Sequence, residues 1–306
     1  MDSTGGFLAT VVERTRAYLD DASLDAKYND NFLIRNIITP TFASIASRIN
    51  NSTTNAISTW IPFPLTKGLA YYQIPPCVGE VWRLAMRNDD DWVSREAMPR
   101  TEWHYRGPNW KVEGNMLVFT PTPDQDYADL ELQFMHNGEI QPFLLTSATL
   151  SAPSGSLDTL TFPLSTNPSL GTIDRRDNAY LGCVVRLLTT TGVIEERIIS
   201  TWTKDSTNWK IVVRRPFTSN YTAGTVANVE IAPFGLESLY EAVAVGGAIK
   251  FGVYKKISTS HFQMLQMQYR DAMKTAMDHF SNKQMRTGKY FERSTADNSL
   301  NDWRNI

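Results

Sequence analysis

Cysteine is scarce in this sequence, and neither sign of charge is in excess. The 306 residues include two cysteines, Cys77 and Cys183, which are too few for a disulfide scaffold or for a zinc site built of cysteines. This favours a reducing compartment. The 30 basic and 32 acidic residues give a net charge of −2, which does not supply the positive field that a protein binding the nucleic-acid backbone needs. A nucleic-acid reader is therefore disfavoured.

Long apolar runs are also missing. The most apolar helical stretch, Ala242 to Ile249, is bounded by Glu241 and Lys250. The first residues lack a basic start followed by an apolar run, so we expect a soluble chain without a recognisable export signal. A hydrophobic share of 42% is enough to build a core, and the length predicts about two domains.

The common catalytic fingerprints are absent. The sequence has no phosphate-binding glycine loop, no Gly-x-Ser-x-Gly turn, no dinucleotide fingerprint and no His-Glu-x-x-His helix. His136 and Glu139 form the closest histidine and carboxylate pair, but two ligands are too few for zinc. Asp89, Asp90 and Asp91 point to alternating sides of an extended chain, which favours a solvated loop. We predict no catalytic residue, no metal site and no cofactor.

Helical periodicity predicts helices at both ends of the chain. Apolar residues follow a 3.6-residue period from Phe7 to Leu19 and from Phe32 to Ile49. Asp30 is expected to cap the second helix. Pro40 lies inside its pattern and predicts a kink or two shorter helices that meet there. Periodicity returns after Pro233.

The last helix is predicted to end near Phe280, with Ser260 and Gln263 as a capping box at its start. From Lys250 onward the chain has ten basic and five acidic residues, a net charge of +5 that leaves −7 for the rest. Beyond Phe280 the apolar period fades and Gly288 is expected to break the helix, so this segment is interpreted as an arm.

Strand-like alternation fills the middle of the chain. In the segment from Leu130 to Phe134, Glu131 and Gln133 are expected on a solvent-exposed (wet) face opposite the buried leucines. The turn at Thr189 to Gly192 is expected to join two strands as a hairpin. The predicted strands are Tyr71 to Ile74, Val81 to Arg87, Trp110 to Val112, Met116 to Phe119, Leu130 to Met135, Ser147 to Leu150, Thr159 to Leu164, Leu181 to Leu188, Ile194 to Ser200, Trp209 to Arg214 and Val226 to Ile231.

These patterns predict an α+β chain in which terminal helices form a helical bundle domain. That domain combines residues 1–70 and 234–280. Residues 71–145 are predicted to form an antiparallel β segment, and residues 146–233 an inserted small β-sandwich or barrel whose strands pair mainly with one another. Residues 281–306 form the C-terminal arm.

The order of these pieces resembles the head-to-tail adaptor, or connector, proteins of tailed bacteriophages, especially those of short-tailed phages. The resemblance rests on the two opening helices and the final long helix with its tail. It also rests on six segments: Tyr72 to Pro76, Trp110 to Pro123, Leu130 to Phe134, Ala179 to Gly182, Glu196 to Ile199, and Trp209 to Phe217.

The resemblance implies a virion structural protein without catalysis. It implies a homo-oligomeric ring of about twelve copies that joins the portal protein to a tail nozzle or fibre protein and lets double-stranded DNA pass without sequence-specific binding. Assembly would take place in the host cytoplasm, and no membrane is involved. The residues expected to bind the portal lie in the arm: Lys283, Arg286, Lys289, Tyr290, Phe291, Arg293 and Trp303.

An alternative function is a carbohydrate- or receptor-binding virion module. Five aromatic residues crowd into one predicted β segment and would form its stacking platform: Trp82, Trp92, Trp103, Tyr105 and Trp110. A hydrolase is a third class, but it needs two facing carboxylates, and the sequence singles out no pair among Asp158, Asp174, Asp177, Glu195 and Glu196.

Overall fold

Helices lie at both ends of the chain and antiparallel strands fill its middle, which confirms the α+β class. The computed structural model describes residues 7–21, 28–52, 57–87, 95–98, 109–146, 157–192, 194–219, 221 and 225–298. Within these ranges, the side chains at 52, 86–87, 95–98, 146 and 281–298 are not described.

Five α-helical segments are present in the described ranges. They are α1 (Phe7–Ala17), α2 (Asp30–Leu33), α3 (Thr39–Ser52), α4 (Tyr240–Lys255) and α5 (Thr259–Asn298). A π-helical turn, Ile34–Ile38, joins α2 to α3 in one continuous helix, and a 3-10 turn, Glu237–Leu239, precedes α4.

The π turn shows how the helix accommodates Pro40. Proline has no backbone N–H, and its ring collides with the carbonyl group four residues earlier in a regular α-helix. The wider π turn ends at this point, where the backbone N–H of Thr39 donates to the carbonyl oxygen of Ile34. The hydroxyl of Thr39 donates to the same oxygen over 2.7 Å. The interruption expected at Pro40 is thus a change of helix type just before it.

Both predicted helix caps are one or two residues away from the observed ones. Asn29 caps α2, because its side chain accepts a hydrogen bond from the backbone N–H of Phe32. Asp30 lies inside the first turn and pairs with Arg16 at 2.8 Å. At the start of α5, Ser258 rather than Ser260 accepts the backbone N–H of the third helical residue, over 3.3 Å.

The helices share one hydrophobic cluster, in which α4 packs against α1, α3 and α5. Gly246 lies at the tightest point of α4. A Cβ atom there would be 2.9 Å from the ring of Tyr269 and 3.0 Å from the methyl group of Thr41. The next residue, Gly247, has more room, since its nearest neighbours would be 3.4 Å away. The close approach of α4 to its neighbours is therefore at Gly246.

The strands before residue 140 form two antiparallel sheets. A four-stranded sheet has the order β1-β7-β3-β4, and a three-stranded sheet has the order β2-β6-β5. β1 and β4 were not predicted from the sequence. The bounds are β1 (Thr59–Pro62), β2 (Tyr71–Gln73), β3 (Val78–Arg87), β4 (Arg95–Met98), β5 (Asn109–Glu113), β6 (Met116–Thr120) and β7 (Leu130–His136).

The wet face predicted for β7 is only partly present. Gln133 is half-buried, but Glu131 is 3% exposed and forms an ion pair with Arg214. β7 lies between β1 and β3, and Arg214 directly follows Asn208–Val213, a strand of the six-stranded sheet, so the second face of β7 is covered at Glu131. A buried carboxylate needs such a cation, because it loses the stabilisation that water gives.

Six further strands form the third sheet, in the order β8-β13-β10-β11-β12-β9, and the antiparallel sheets of the molecule include a curled half-barrel. The predicted hairpin at Thr189 to Gly192 joins β10 to β11, with Gly192 at a φ of 84°. The first strand of this sheet was not predicted, and the strand predicted at Ser147 to Leu150 falls outside the described residues. The bounds are β8 (Phe143–Thr146), β9 (Thr159–Pro163), β10 (Val184–Thr189), β11 (Ile194–Lys204), β12 (Asn208–Val213) and β13 (Val226–Ala232).

The six-stranded sheet shares its core with the preceding sheets. The strands pair with one another, yet a single cluster of buried side chains includes Leu84 and Phe134 from the first sheet together with Val185 and Trp202 from the third. At Gly182, with φ 71°, a Cβ atom would be 2.6 Å from the side chain of Thr59 on β1. A boundary at residue 146 therefore crosses a common core.

Candidate functional site

The long helix α5 is anchored to the body by its first half. Leu265, Met273, Ala276 and Phe280 are buried, with spacings that place them along one side of the helix. Phe280 is the last residue of α5 whose side chain is described. The backbone continues as helix to Asn298, so the expected break at Gly288 is wrong. A glycine inside a helix costs about 1 kcal/mol, which a helix of this length can absorb.

Six of the seven predicted portal-binding residues lie in this continuing part of α5, and their side chains are outside the described part. They are Lys283, Arg286, Lys289, Tyr290, Phe291 and Arg293. Trp303 lies outside the described residues altogether. The structure thus gives these six positions a helical backbone. The spacing of the four cations, three, three and four residues, puts them on one face of such a helix.

Exposed apolar side chains lie on α4 and α5. Val253 is 69% exposed and Tyr254 is 51% exposed on the last turn of α4, and Met264 and Met267 are 44% and 60% exposed on α5. Met264 and Met267 are three residues apart and therefore neighbours on the helix surface. Large apolar side chains that water reaches are common at surfaces that bind another protein.

The predicted pair of His136 and Glu139 does not come together as a chemical site. His136 is buried, and its Nε2–H donates to the carbonyl oxygen of Leu181 over 3.2 Å, while Glu139 is exposed. Burial lowers the pKa of His136 to about 4. The sulfur of Cys183 lies 3.4 Å from the same nitrogen, and burial raises the pKa of its thiol well above the ordinary value. Both groups are neutral near pH 7, as in a packed core.

The predicted aromatic platform is not assembled from the residues that the structure describes. Trp110 is 1% exposed and belongs to the core, and Trp82 is half-buried. Trp92, Trp103 and Tyr105 lie outside the described residues, as do Asp89, Asp90 and Asp91. The observed core position of Trp110 removes one ring from the surface that a sugar would need.

Asp174 and Glu195, two of the other carboxylates considered from the sequence, are held by partners. Asp174 pairs with Arg176 at 2.6 Å. Glu195 pairs with Arg197 at 2.9 Å and also accepts the hydroxyl groups of Thr218 and Tyr221. In the described part of the chain, no three His, Cys, Asp or Glu side chains are grouped so that they would hold a metal ion.

A charged cluster that the sequence does not predict lies beside the start of α1. Glu230 on β13 accepts the backbone N–H groups of Phe7 and Leu8 over 2.5 and 2.7 Å. These bonds satisfy donors that a helix N-terminus leaves free, and they fix α1 to the third sheet. Burial raises the pKa of Glu230 to about 7, against the opposing effects of Arg186 and of the two N–H groups.

Arg186 is the cation of this cluster. Its guanidinium group lies 2.5 Å from Glu196, 2.9 Å from Glu237 and 3.7 Å from Glu230. It also lies 5.0 Å from the centre of the Phe7 ring. The only sequence signal for the cluster is a charge in the middle of each of two apolar strands, Val184–Thr189 and Val226–Ala232.

Comparison with models of known protein families gives no match, and a search of curated proteins finds no similar sequence. Within the described residues, none of the helices combines the length and the apolar character that crossing a membrane requires.

Proposed function

We propose that the chain is a head-to-tail adaptor of a tailed bacteriophage. Its copies form a ring of about twelve subunits that joins the portal to the tail and encloses the path of the DNA. Helices from both termini form the domain that meets the neighbouring subunits, and the region 146–233 faces the outside of the ring or the tail. The chain acts through binding surfaces and performs no catalysis.

The observation that carries this proposal is the length of α5. The helix has 40 residues, and Phe280 is its last described side chain, packed into the body. The 18 residues from 281 to 298 extend by about 27 Å at 1.5 Å per residue. A helix of this length, with four cations at helical spacing, suits contact with a separate acidic partner better than contact with its own subunit.

Two further features support a ring. The exposed apolar residues of α4 and α5 offer surface to a neighbouring subunit. The net charge outside the basic C-terminal region is −7, so the body of the molecule repels DNA rather than holding it, as a conduit requires.

The test is a truncation after Phe280, followed by a pull-down with the portal protein of the same phage. The shortened chain keeps every described buried side chain of α5, so we expect it to stay folded and to lose portal binding. Binding equal to that of the full chain would overturn the role of the arm.

A charge-matched pair of variants separates specific contacts from overall charge. The first replaces the arm cations Lys283, Arg286, Lys289 and Arg293 by glutamine. The control replaces four exposed cations of the body by glutamine: Arg48, Lys67, Arg175 and Lys204. We expect only the first variant to lose binding. Equal losses would show that portal binding depends on net charge alone.

Light scattering on the mixture with the portal should show a large assembly, and a monomer throughout would contradict the ring.

A further inference from the structure

A cavity of about 390 Å³ opens beside Arg186, between β10, β13 and the segment that leads into α4. The apolar part of the lining, here called the apolar wall, includes the half-buried rings of Phe7 and Phe234. The lining also carries the carboxylates of Glu196, Glu230 and Glu237. The volume falls in the range of sites that bind small molecules or single side chains.

Charge is not balanced within this cavity. Among the lining residues that the structure describes, Arg186 is the one cation, and three carboxylates share it. Glu230 is 3% exposed, so water does little to stabilise its charge. The raised pKa of Glu230 follows from this environment. A second cation in the cavity would offset the repulsion among the carboxylates.

The apolar wall selects the kind of cation. Aromatic faces attract guanidinium and ammonium groups, and the ring of Phe7 already lies 5.0 Å from the guanidinium of Arg186. The ring of Phe234 lines the same space. A bare metal ion would gain little from such a wall, whereas an alkyl chain that ends in a cation matches both the aromatic rings and the carboxylates of the lining.

We propose that this cavity binds an organic cation, an alkylguanidinium or alkylammonium group, with its charge beside Glu196 and Glu237 and its alkyl part against Phe7 and Phe234. Two sources carry this chemistry: a free amine or guanidine, and an arginine or lysine side chain of another protein. The site is independent of the portal-binding arm, so either proposal can fail without the other.

The first experiment measures the thermal stability of the full chain with butylguanidinium or with butylurea, which has the same shape and no charge. We expect butylguanidinium to raise the melting temperature in proportion to ln(1 + [ligand]/Kd) and butylurea to leave it unchanged. Equal shifts with both compounds, or no shift with either at millimolar concentration, would overturn the proposal.

A blocked Gly-Arg-Gly peptide distinguishes the two sources of the cation. A rise in melting temperature at least as large as that with butylguanidinium assigns the site to a protein side chain, and a smaller rise assigns it to a free cation.

Variants locate the binding in the cavity. Glu196→Gln combined with Glu237→Gln removes two carboxylates that are 38% and 59% exposed, so folding should be preserved. We expect this variant to bind butylguanidinium about tenfold more weakly or worse, which is 1.4 kcal/mol. Glu80→Gln with Glu113→Gln makes the same charge change at exposed positions outside the cavity and should bind as the wild type does. Equal affinity of both double variants would place the cation elsewhere and overturn the site.

Proton release gives a second readout. Glu230 faces Arg186 from β10, Glu196 from β11, Glu237 from the turn before α4 and the N–H groups at the start of α1. A bound cation favours the ionised form of Glu230, so binding near pH 7 should release protons and should be tighter at pH 8 than at pH 6. Calorimetry in two buffers with different ionisation enthalpies measures this. Affinity that does not change with pH would contradict binding beside Glu230.

Discussion

At the scale of single residues, His136 was a candidate for a catalytic or metal-binding role in the sequence, and in the fold it is a buried core residue. Its ring is buried against Leu181 and Cys183, and its pKa falls to about 4 because the charged form would lose its hydration. The unfolded chain takes up a proton below about pH 6.5, whereas the folded chain does so only near pH 4. Stability that is present above pH 6.5 is therefore lost as the pH falls toward 4.

We predict that His136→Gln removes this pH dependence while keeping a donor for Leu181. As the pH falls from 6.5 to 4.5, the unfolding free energy of the wild type should fall relative to that of the variant. The expected slope is about 1.4 kcal/mol for each pH unit. Urea unfolding at several pH values measures the difference. The comparison must be with the variant, because Glu230 has the opposite effect: its pKa of about 7 makes the wild type lose stability as the pH rises from 4.5 to 7. Parallel curves for the two proteins would contradict a buried neutral His136.

At the scale of elements, the adjacent glycines Gly246 and Gly247 of α4 allow a controlled comparison of two alanine substitutions. Alanine favours a helix over glycine by about 1 kcal/mol, so both substitutions gain the same intrinsic term. At Gly246 the new methyl group would meet Tyr269 and Thr41 at 2.9 and 3.0 Å, whereas at Gly247 its nearest contacts are at 3.4 Å. We expect Gly246→Ala to lower the unfolding free energy by about 1–3 kcal/mol and Gly247→Ala to leave it unchanged or raise it. Denaturant unfolding of the two variants measures this, and equal effects would show that α4 and α5 adapt to the extra methyl group.

Most helices and strands were predictable because their signal is local. Apolar periodicity located α1, α4 and ten of the strands to within a few residues. β1 and β4 were missed because each has four residues, too few for a period to show. The caps were misplaced because several neighbouring residues can cap equally well, and the choice of Asn29 over Asp30 depends on the ion pair of Asp30 with Arg16.

The C-terminal part of α5 yields a prediction about which side chains bind the portal. Aromatic side chains that fill a partner's groove often contribute 2 kcal/mol or about 30-fold in affinity, whereas an exposed ion pair contributes about 0.2–1 kcal/mol. We therefore expect Tyr290→Ala combined with Phe291→Ala to weaken portal binding more than Lys283→Ala, Lys289→Ala or any other single loss of an arm cation. Dissociation constants at one fixed salt concentration decide this. A larger effect of one cation would show that the interface depends on a specific buried charge.

At the scale of the whole molecule, long-range contacts explain what the sequence could not give. Arg186 and Glu230 are 44 positions apart and meet because β10 pairs with β13. Glu131 and Arg214 are 83 positions apart and join two different sheets. Neither pair has a local signal, so the charged cavity was not predictable, and the region 146–233 was interpreted as an inserted domain whose strands pair mainly with one another. The cluster that includes Phe134 and Trp202 joins it to the preceding sheets instead.

The core shared by the sheets, together with the bonds of Glu230 to α1, predicts that helices and sheets unfold together. The tryptophans of the described residues lie in the β region, so their fluorescence reports on the sheets, while far-ultraviolet circular dichroism reports largely on the helices. Because Glu230 fixes α1 to the third sheet and the sheets share one cluster, we expect both signals to change at the same urea concentration.

Arg214→Met leaves the carboxylate of Glu131 buried without this partner and should move both midpoints down together, by about 3–5 kcal/mol in unfolding free energy. Arg175→Met, at an exposed position, should move neither. Two separate midpoints in the wild type, or a shift of the fluorescence signal alone in Arg214→Met, would show that the β region folds as a unit of its own.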